Sequence, residues 1–189
     1  DIIEAAEHIA SGYSTRYDIG CFGGRHFTYV AAFGAFSWLS YTTDQNMKNV
    51  LGHTAYILDA IKDLYKIKPL HMKVTADGVT HEDDYIFGAI CNTTSVAGTI
   101  TLPSAMVDTA DGVFEVLLVK MPKTMLELDM IIRGLLSQDY SCPNIDLFQA
   151  KELDIENPPE LEWSLDGEAS GVMDKAHVSV IPRFLNLRG

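Results

Sequence analysis

Two acidic segments contain residues whose types and spacing suit proton transfer or metal binding. Asp166-Gly167-Glu168 brings two carboxylates together across a tight turn, which suits proton abstraction or metal positioning. In the other segment Asp108 and Asp111 precede Gly112, and a carboxylate with neighbouring backbone carbonyls can hold a hard cation through oxygen ligands. Asp-Gly is also a strong hairpin signal, since glycine adopts positive φ without steric cost. Taken alone, both segments and the similar Asp77-Gly78 favour plain hairpin turns.

The sequence lacks several common active-site signatures. It has no G-x-x-x-x-G-K-[ST] phosphate loop, no G-x-G-x-x-G and no G-x-S-x-G. Its 6 histidines lack the spacing of metal ligands, so structural or surface roles are favoured for them. Its 3 cysteines form no C-x-x-C pair, which argues against a disulfide scaffold or zinc ribbon and fits a reducing compartment. The chain alone therefore carries no complete catalytic constellation.

Composition places the chain among ordinary globular proteins. With 189 residues, 47% of them hydrophobic, it is long enough for one domain with a sizeable core. Its formal net charge of -12 makes it a poor candidate for binding nucleic acid, or anionic lipid by charge alone. Contact with a membrane would therefore need another domain or an apolar surface. The N-terminus has no signal-peptide pattern and no initiator Met, which suggests an excised piece or a missing start.

Hydrophobic periodicity predicts a mainly β, antiparallel β-sandwich with two or three packed helices. Residues 1–11, 46–65 and 124–137 have helical spacing, and Thr124 with Glu127 forms a capping-box pattern in the last of these segments. Aromatic and β-branched residues predict strands, with a turn at Gly23-Gly24 between the first two. The predicted strands are residues 17–22, 25–31, 70–76, 85–92, 113–120, 148–158, 161–165 and 177–182.

Short motifs follow one another in an order that is more specific than any one of them. In chain order they are Tyr17-Asp18-Ile19-Gly20, Arg25 to Gly34, Lys48 to Ile57, Asn92 with Ala97-Gly98, Pro103-Ser104-Ala105 with Asp111-Gly112, and Asp166-Gly167-Glu168. In this order they resemble the C-terminal β-sandwich domain of the soluble diacylglycerol kinase and sphingosine kinase family of lipid kinases, in its bacterial type. The resemblance covers nearly the whole chain. It departs at Ala97, where the family has the first Gly of an N…GG segment.

The resemblance implies a domain organisation and an activity. Residues 1–12 would be the helix that leads out of a nucleotide-binding N-terminal domain, and residues 13–189 would be the C-terminal β-sandwich domain. The complete protein would be an ATP-dependent lipid kinase that transfers the γ-phosphoryl group to the hydroxyl of a diacylglycerol-like lipid. The family's G-G-D-G-T element for ATP precedes this region and is absent here. The chain alone is therefore expected to fold but not to phosphorylate a lipid.

The resemblance also implies roles for the matched residues. Asp166 and Glu168 would be catalytic, one of them accepting the proton of the lipid hydroxyl, and the family pattern does not separate the two. Asp111 would bind Mg²⁺ with its side chain, together with the backbone carbonyls of Asp108 and Val113. Asn92 would belong to the cofactor-binding side of the cleft, with ATP bound mainly by the N-terminal domain.

The implied partners are a lipid with a free hydroxyl and the protein's own N-terminal domain, and not nucleic acid. A cytoplasmic location is expected, with peripheral membrane contact by the full-length protein, while homodimers through sheet edges stay open. The lipid stays open among diacylglycerol, a sphingoid base, phosphatidylglycerol and other acyl alcohols. The alternative function is that of a non-catalytic β-sandwich that binds a lipid or a protein partner.

Overall fold

The computed structural model describes residues 2–12, 14–34, 68–96 and 100–188. The predicted helix at 46–65 and the matched segments Lys48 to Ile57 and Ala97-Gly98 lie outside these ranges. Within the described ranges, the helices are α1 (Ile2–Ser11) and α2 (Met125–Ser137). The strands are β1 (Ser14–Phe22), β2 (Arg25–Phe27), β3 (Val30–Gly34), β4 (Leu70–Ala76), β5 (Val79–Cys91), β6 (Ser95–Val96), β7 (Ile100–Thr101), β8 (Phe114–Lys120), β9 (Ile145–Ala150), β10 (Glu152–Glu156), β11 (Glu162–Leu165), β12 (Glu168–Val172) and β13 (Lys175–Arg188).

An 11-stranded antiparallel sheet forms most of the described fold. Its strands follow the order β12-β11-β3-β5-β4-β10-β13-β1-β2, β8 pairs with both β5 and β9, and β6 and β7 form a separate hairpin. The first strand, β1, pairs with the last strand, β13, with Ser14 opposite Arg188 and Phe22 opposite Val178. This architecture confirms the predicted mainly β sandwich.

The middle strands carry an apolar core on each face. Side chains alternate along β8, so that Val116 and Leu118 enter one core while Leu117 and Val119 enter the other. The first core surrounds Trp163, and the second lies under α2 and the β6–β7 hairpin. Burial of each valine or leucine side chain contributes about 1.5–3 kcal/mol to the stability of the fold. The acidic segments lie in turns that join these packed strands.

Helix α2 begins as its capping-box pattern predicts. The Oγ1 atom of Thr124 accepts the backbone N–H of Glu127 at 3.2 Å. The Glu127 carboxylate accepts the backbone N–H of Lys123 at 2.6 Å, one residue before the cap, so the reciprocal bond is shifted by one position. The buried face of the helix consists of Leu128, Ile131, Ile132, Gly134 and Leu135.

The predicted strand 148–158 is wrong as a single element, because the structure divides it into β9 and β10. At the division, the backbone N–H groups of Lys151 and Glu152 each donate to the Asp77 carboxylate at 3.0 Å. Asp77 lies in the turn between β4 and β5 and is far from this segment in the sequence. A local pattern does not contain this partner, so it predicts one continuous strand.

The predicted strand 25–31 is divided for a similar reason. It belongs to β2 and β3, which are separated at Thr28-Tyr29. The N–H groups of these two residues donate to the Asp166 carboxylate at 2.7 and 2.8 Å instead of to a neighbouring strand. The break is therefore set by a side chain from the other end of the chain.

Two of the three Asp-Gly dipeptides are hairpin turns, as predicted. Asp77-Gly78 joins β4 to β5 and Asp166-Gly167 joins β11 to β12. Asp111-Gly112 is not a hairpin, since the strand that comes after it, β8, pairs with β5 and β9. Here Gly112 and Val113 donate their N–H groups to the carboxylates of Asp18 and Asp111, and not across a hairpin.

Candidate functional site

The Asp166 carboxylate holds the chain between β2 and β3. It accepts the N–H groups of Thr28, Tyr29 and Val30 at 2.7, 2.8 and 2.9 Å, and the Thr28 hydroxyl at 3.0 Å. In return the Asp166 N–H donates to the Val30 carbonyl at 2.8 Å. Asp166 and Gly167 adopt φ values of 50° and 90°, which let the turn bring the carboxylate to these donors. Four donors occupy this carboxylate, so Asp166 has an anchoring role in the fold.

Glu168 has a different environment from Asp166, although only one residue separates them. It is the first residue of β12, lies opposite Leu165 in the hairpin and is exposed. Within the described ranges its carboxylate makes no hydrogen bond or ion pair. Of the two predicted catalytic carboxylates, Glu168 is therefore the one with oxygen atoms available to an incoming group.

Asn92 is buried beside the turn that Asp166 anchors. Its backbone N–H donates to the Tyr29 carbonyl at 3.0 Å, and its side-chain Nδ2 donates to the Asp18 carbonyl at 2.7 Å. Its Oδ1 atom is buried and accepts no hydrogen bond. An unpaired buried acceptor costs about 1–3 kcal/mol, and it marks a position where a donor would be stabilised. The main chain of Tyr29 is thus hydrogen-bonded to both Asn92 and Asp166.

Asp18 connects this region to the second acidic segment. It is fully buried, and its two carboxylate oxygens accept the N–H groups of Gly112 and Arg183, each at 2.6 Å. Its own N–H donates to the Thr109 carbonyl at 2.8 Å. No site role was expected for Asp18 from the sequence. The available signal was a charged residue directly before Ile19 in β1, where a buried carboxylate requires dedicated donors.

The predicted metal ligands lie in the loop that Asp18 holds. Asp108 and Asp111 are exposed, and one oxygen of each accepts the N–H two residues further on, at Ala110 and Val113. The second oxygen of each carboxylate has no partner among the described residues. The same residues contain no group of three or more acidic, histidine or cysteine side chains that could hold a metal ion. A cation here would therefore depend on one side chain together with backbone carbonyls.

Glu115 is a buried carboxylate close to this loop. One oxygen accepts Nε2 of Gln149 at 3.1 Å, the other has no partner, and the same Nε2 donates to the Met106 carbonyl at 2.9 Å. Burial raises the pKa of Glu115 to about 6, and the charges of Asp111 and Asp108 act in the same direction. The sequence did not lead us to predict a site role for Glu115. The available signal was a single acidic residue within the apolar strand β8.

The outer surface of α2 is unusually apolar. Met125, Leu126, Met130 and Leu136 are 44%, 70%, 40% and 43% exposed. Across the described parts of the chain, no helix combines the length and the apolar character that a membrane span requires.

Comparison with known proteins identifies the family. Residues 35–189 match the family described as the YegS C-terminal NAD kinase beta sandwich-like domain, and the chain belongs to this family. A diacylglycerol kinase of Staphylococcus aureus is 29% identical over 99% of the chain. The chain spans 57% of the length of that relative. The resemblance to the C-terminal domain of bacterial diacylglycerol kinases is thereby confirmed.

Solved structures agree on the fold. The crystal structure of a putative diacylglycerol kinase from Bacillus anthracis superposes with a TM-score of 0.72 at 24% identity, covering 99% of this chain and 60% of that one. An NAD kinase from Archaeoglobus fulgidus, in complex with ATP, superposes with a TM-score of 0.56 at 8% identity, covering 99% and 59%. The sandwich architecture is therefore shared by kinases with little sequence in common.

Proposed function

We propose that this chain is the lipid-acceptor half of a diacylglycerol-kinase-type enzyme. The complete enzyme transfers the γ-phosphoryl group of ATP to the hydroxyl of a lipid such as diacylglycerol. Family membership and the names of the relatives support this function. The relatives are longer than this chain, and an N-terminal domain of the same protein would supply most of the ATP site. The chain alone would lack that site and would be inactive.

Within this function, Glu168 is the residue that accepts the proton of the lipid hydroxyl. The observation that carries the assignment is the contrast between two carboxylates on one turn, since four donors occupy Asp166 and none of the described residues occupies Glu168. Phosphoryl transfer depends mainly on positioning and charge stabilisation, and it needs one group to take the hydroxyl proton. A free carboxylate at the start of β12 meets this need.

Asp166 is the positioning residue of the same turn. Its carboxylate accepts the N–H groups of Thr28, Tyr29 and Val30 at 2.7, 2.8 and 2.9 Å. Its anchoring bonds fix the hairpin from which Glu168 projects.

Asn92 would contribute to the cofactor side of the cleft. Its buried Oδ1 atom has no donor in the described structure, and its main chain is tied to the turn that Asp166 holds. The amino group or the ribose hydroxyls of ATP are donors of the kind that this atom lacks. This placement would bring the nucleotide to the same region as the proton acceptor.

The loop that contains Asp111 would bind Mg²⁺ through its side chain and the carbonyls of Asp108 and Val113. The unpaired second oxygen of Asp111 and the negative charge of buried Glu115 nearby suit a hard cation. Bound Mg²⁺ would supply positive charge close to the cleft and would fix the loop. The residues of this chain hold the loop in place through Asp18.

Thermal unfolding with and without Mg²⁺ tests this site, because a ligand that binds only the folded state stabilises it. We expect about 10 mM Mg²⁺ to raise the Tm of the parent by about 2–4 °C, and Asp111→Ala to remove the increase. Asp139→Ala is the matched control, since Asp139 also accepts an N–H two residues further on, that of Ser141. A parent Tm that does not respond to Mg²⁺ contradicts the site.

Kinase assays of the full-length protein test the function. With ATP and diacylglycerol in mixed micelles, Glu168→Gln is expected to lower kcat by about 10²–10⁴-fold with an unchanged Tm, because general-base contributions have this size. Glu162→Gln is the control, since Glu162 is an exposed carboxylate on the same hairpin. The alternative, a non-catalytic sandwich that binds a lipid or a protein, predicts no phosphorylated lipid in the parent.

The substrate also implies where the enzyme works. A lipid hydroxyl lies at a membrane surface while ATP is cytoplasmic, so we propose a cytoplasmic enzyme with peripheral membrane contact. The net charge of -12 does not favour attraction to anionic lipid. The exposed apolar residues of α2 could make such a contact without relying on charge.

A further inference from the structure

A side chain on β2 joins the two ends of the sheet. In the strand order, β12 is the first strand and β2 the last. Arg25 lies on β2, and its Nη1 atom donates to the carbonyls of Ser170 and Ala169 on β12, at 2.7 and 3.4 Å. The chain on either side is also close, since a Cβ atom added to Gly23, before β2, would be 3.0 Å from Sδ of Met173, after β12. The sheet therefore curls until its outermost strands meet.

Among the described residues, few other contacts hold strand β12. All five of its residues are exposed or half-buried, so it makes no large contribution to either core. Its pairing with β11 is irregular, with a register shift between Glu162 and Ser164. On its outer edge, Arg25 donates a side-chain hydrogen bond to its backbone. A strand with few buried contacts and an open edge is mobile unless something fixes it.

We propose that Arg25 is a positioning residue for Glu168, because its guanidinium closes β2 against β12 and fixes the strand that carries the proton acceptor. The catalytic part of this inference rests on the proposed function. The closure of β2 against β12 does not rest on that function, and hydrogen exchange measures it separately.

The chemistry of the contact explains why arginine suits this position. Both bonds come from Nη1, whose two N–H groups are held in the rigid plane of the guanidinium and can be shared between two successive carbonyls. A lysine ammonium is a compact charge on a flexible stem and can meet one carbonyl well. Arg25→Lys is therefore expected to preserve part of the closure, whereas Arg25→Ala removes it.

Hydrogen exchange and kinetics of the full-length protein test the proposal together. In Arg25→Ala, exchange of the amides in residues 168–173 is expected to rise about tenfold while exchange in β9 and β10 is unchanged, because only local opening is affected. A small displacement of a catalytic group lowers the rate by about 10- to 100-fold, so we expect that loss in kcat with a nearly unchanged KM for ATP. Arg25→Lys should be intermediate in both measurements.

Arg133→Ala is the matched control, since Arg133 is an exposed arginine that pairs with Asp129 on α2. It should leave exchange of residues 168–173 and kcat at parent values. Unchanged exchange in Arg25→Ala overturns the closure, and faster exchange with an unchanged kcat overturns the positioning role. If Arg25→Ala does not fold, Arg25→Lys decides by the same two criteria. A parent without kinase activity refutes the proposed function instead, and the exchange result then decides the closure alone.

Discussion

Two Asp-Gly turns of this molecule have nearly the same backbone and differ in the residue that comes next. Asp77-Gly78 has φ values of 46° and 87°, and Asp166-Gly167 has values of 50° and 90°. In the first turn the Asp77 N–H donates to the Glu152 carbonyl, and the Glu152 N–H donates to the Asp77 carboxylate. In the second turn Asp166 exchanges the same two bonds with Val30.

The difference lies in the residue after the glycine. Val79 comes after the first turn and Glu168 after the second. Because the first turn performs the anchoring without an acidic residue in that position, the aspartate is explained in both turns by its structural bonds. The added glutamate is then the feature that distinguishes the candidate site from a plain turn. The Asp77 turn serves as an internal control for the Asp166 turn.

The largest expected effect tests whether the two aspartates are equivalent anchors. Asp166→Asn and Asp77→Asn should each lower the free energy of unfolding by about 2–3 kcal/mol, since each loses charge-assisted bonds to backbone N–H groups. Urea unfolding measures this loss. Kinase activity of the full-length protein should fall in Asp166→Asn and persist in Asp77→Asn. Parent stability in Asp166→Asn would show that its four bonds do not anchor the fold.

The next effect concerns a carboxylate with too few donors. Glu115 accepts one hydrogen bond and its folded-state pKa is about 6, above the usual 4.5, so its charged form destabilises the fold. The penalty is absent below pH 4.5, develops between pH 4.5 and 6, and is complete above pH 6. Glu115→Gln should therefore stabilise the protein by about 2 kcal/mol at pH 8 and by much less at pH 4.5.

Urea unfolding of Glu115→Gln and its parent at both pH values, in EDTA, measures this difference. Gln149→Ala at pH 8 provides the opposite control, since it removes the donor to Glu115 and should destabilise the protein. A Glu115→Gln variant that is less stable than the parent at pH 8 would show that the buried charge is compensated.

The smallest effect tests whether the two turns share a backbone conformation. Gly78→Ala and Gly167→Ala should each cost about 1 kcal/mol, because alanine at these positive φ values is strained. Thermal unfolding should give nearly equal losses for the two variants. If only one of the two variants loses stability, the two turns share their φ values but not the energetic cost of a side chain there.

Local signals in the sequence predict much of this fold. The Asp-Gly hairpins at 77 and 166, the strand at 70–76 and the cap at Thr124 all depend on neighbours within a few residues. The break at Thr28-Tyr29 depends on Asp166, 138 positions from Thr28. No short window contains both partners, so the pattern predicts a continuous strand.

The same limit applies to the site. The residue types at Asp166, Glu168 and Asp111 are visible in the sequence and define the candidate chemistry. Their separation into an anchor and a free carboxylate depends on which donors surround each, and it appears only in three dimensions. Asp18 and Glu115 were overlooked because the sequence does not show that an acidic side chain in a strand points inward.

The pairing of the first strand with the last has a consequence for synthesis on the ribosome. Phe22 in β1 pairs opposite Val178 in β13, so about 150 residues must be added after β1 before its partner exists, which takes roughly 10–30 s at usual elongation rates. During that time β1, which carries the buried residues Ile19 and Phe22, lacks its partner β13. The nascent chain therefore leaves the edge of β1 without this partner, and open to chaperones, until β13 emerges from the ribosome.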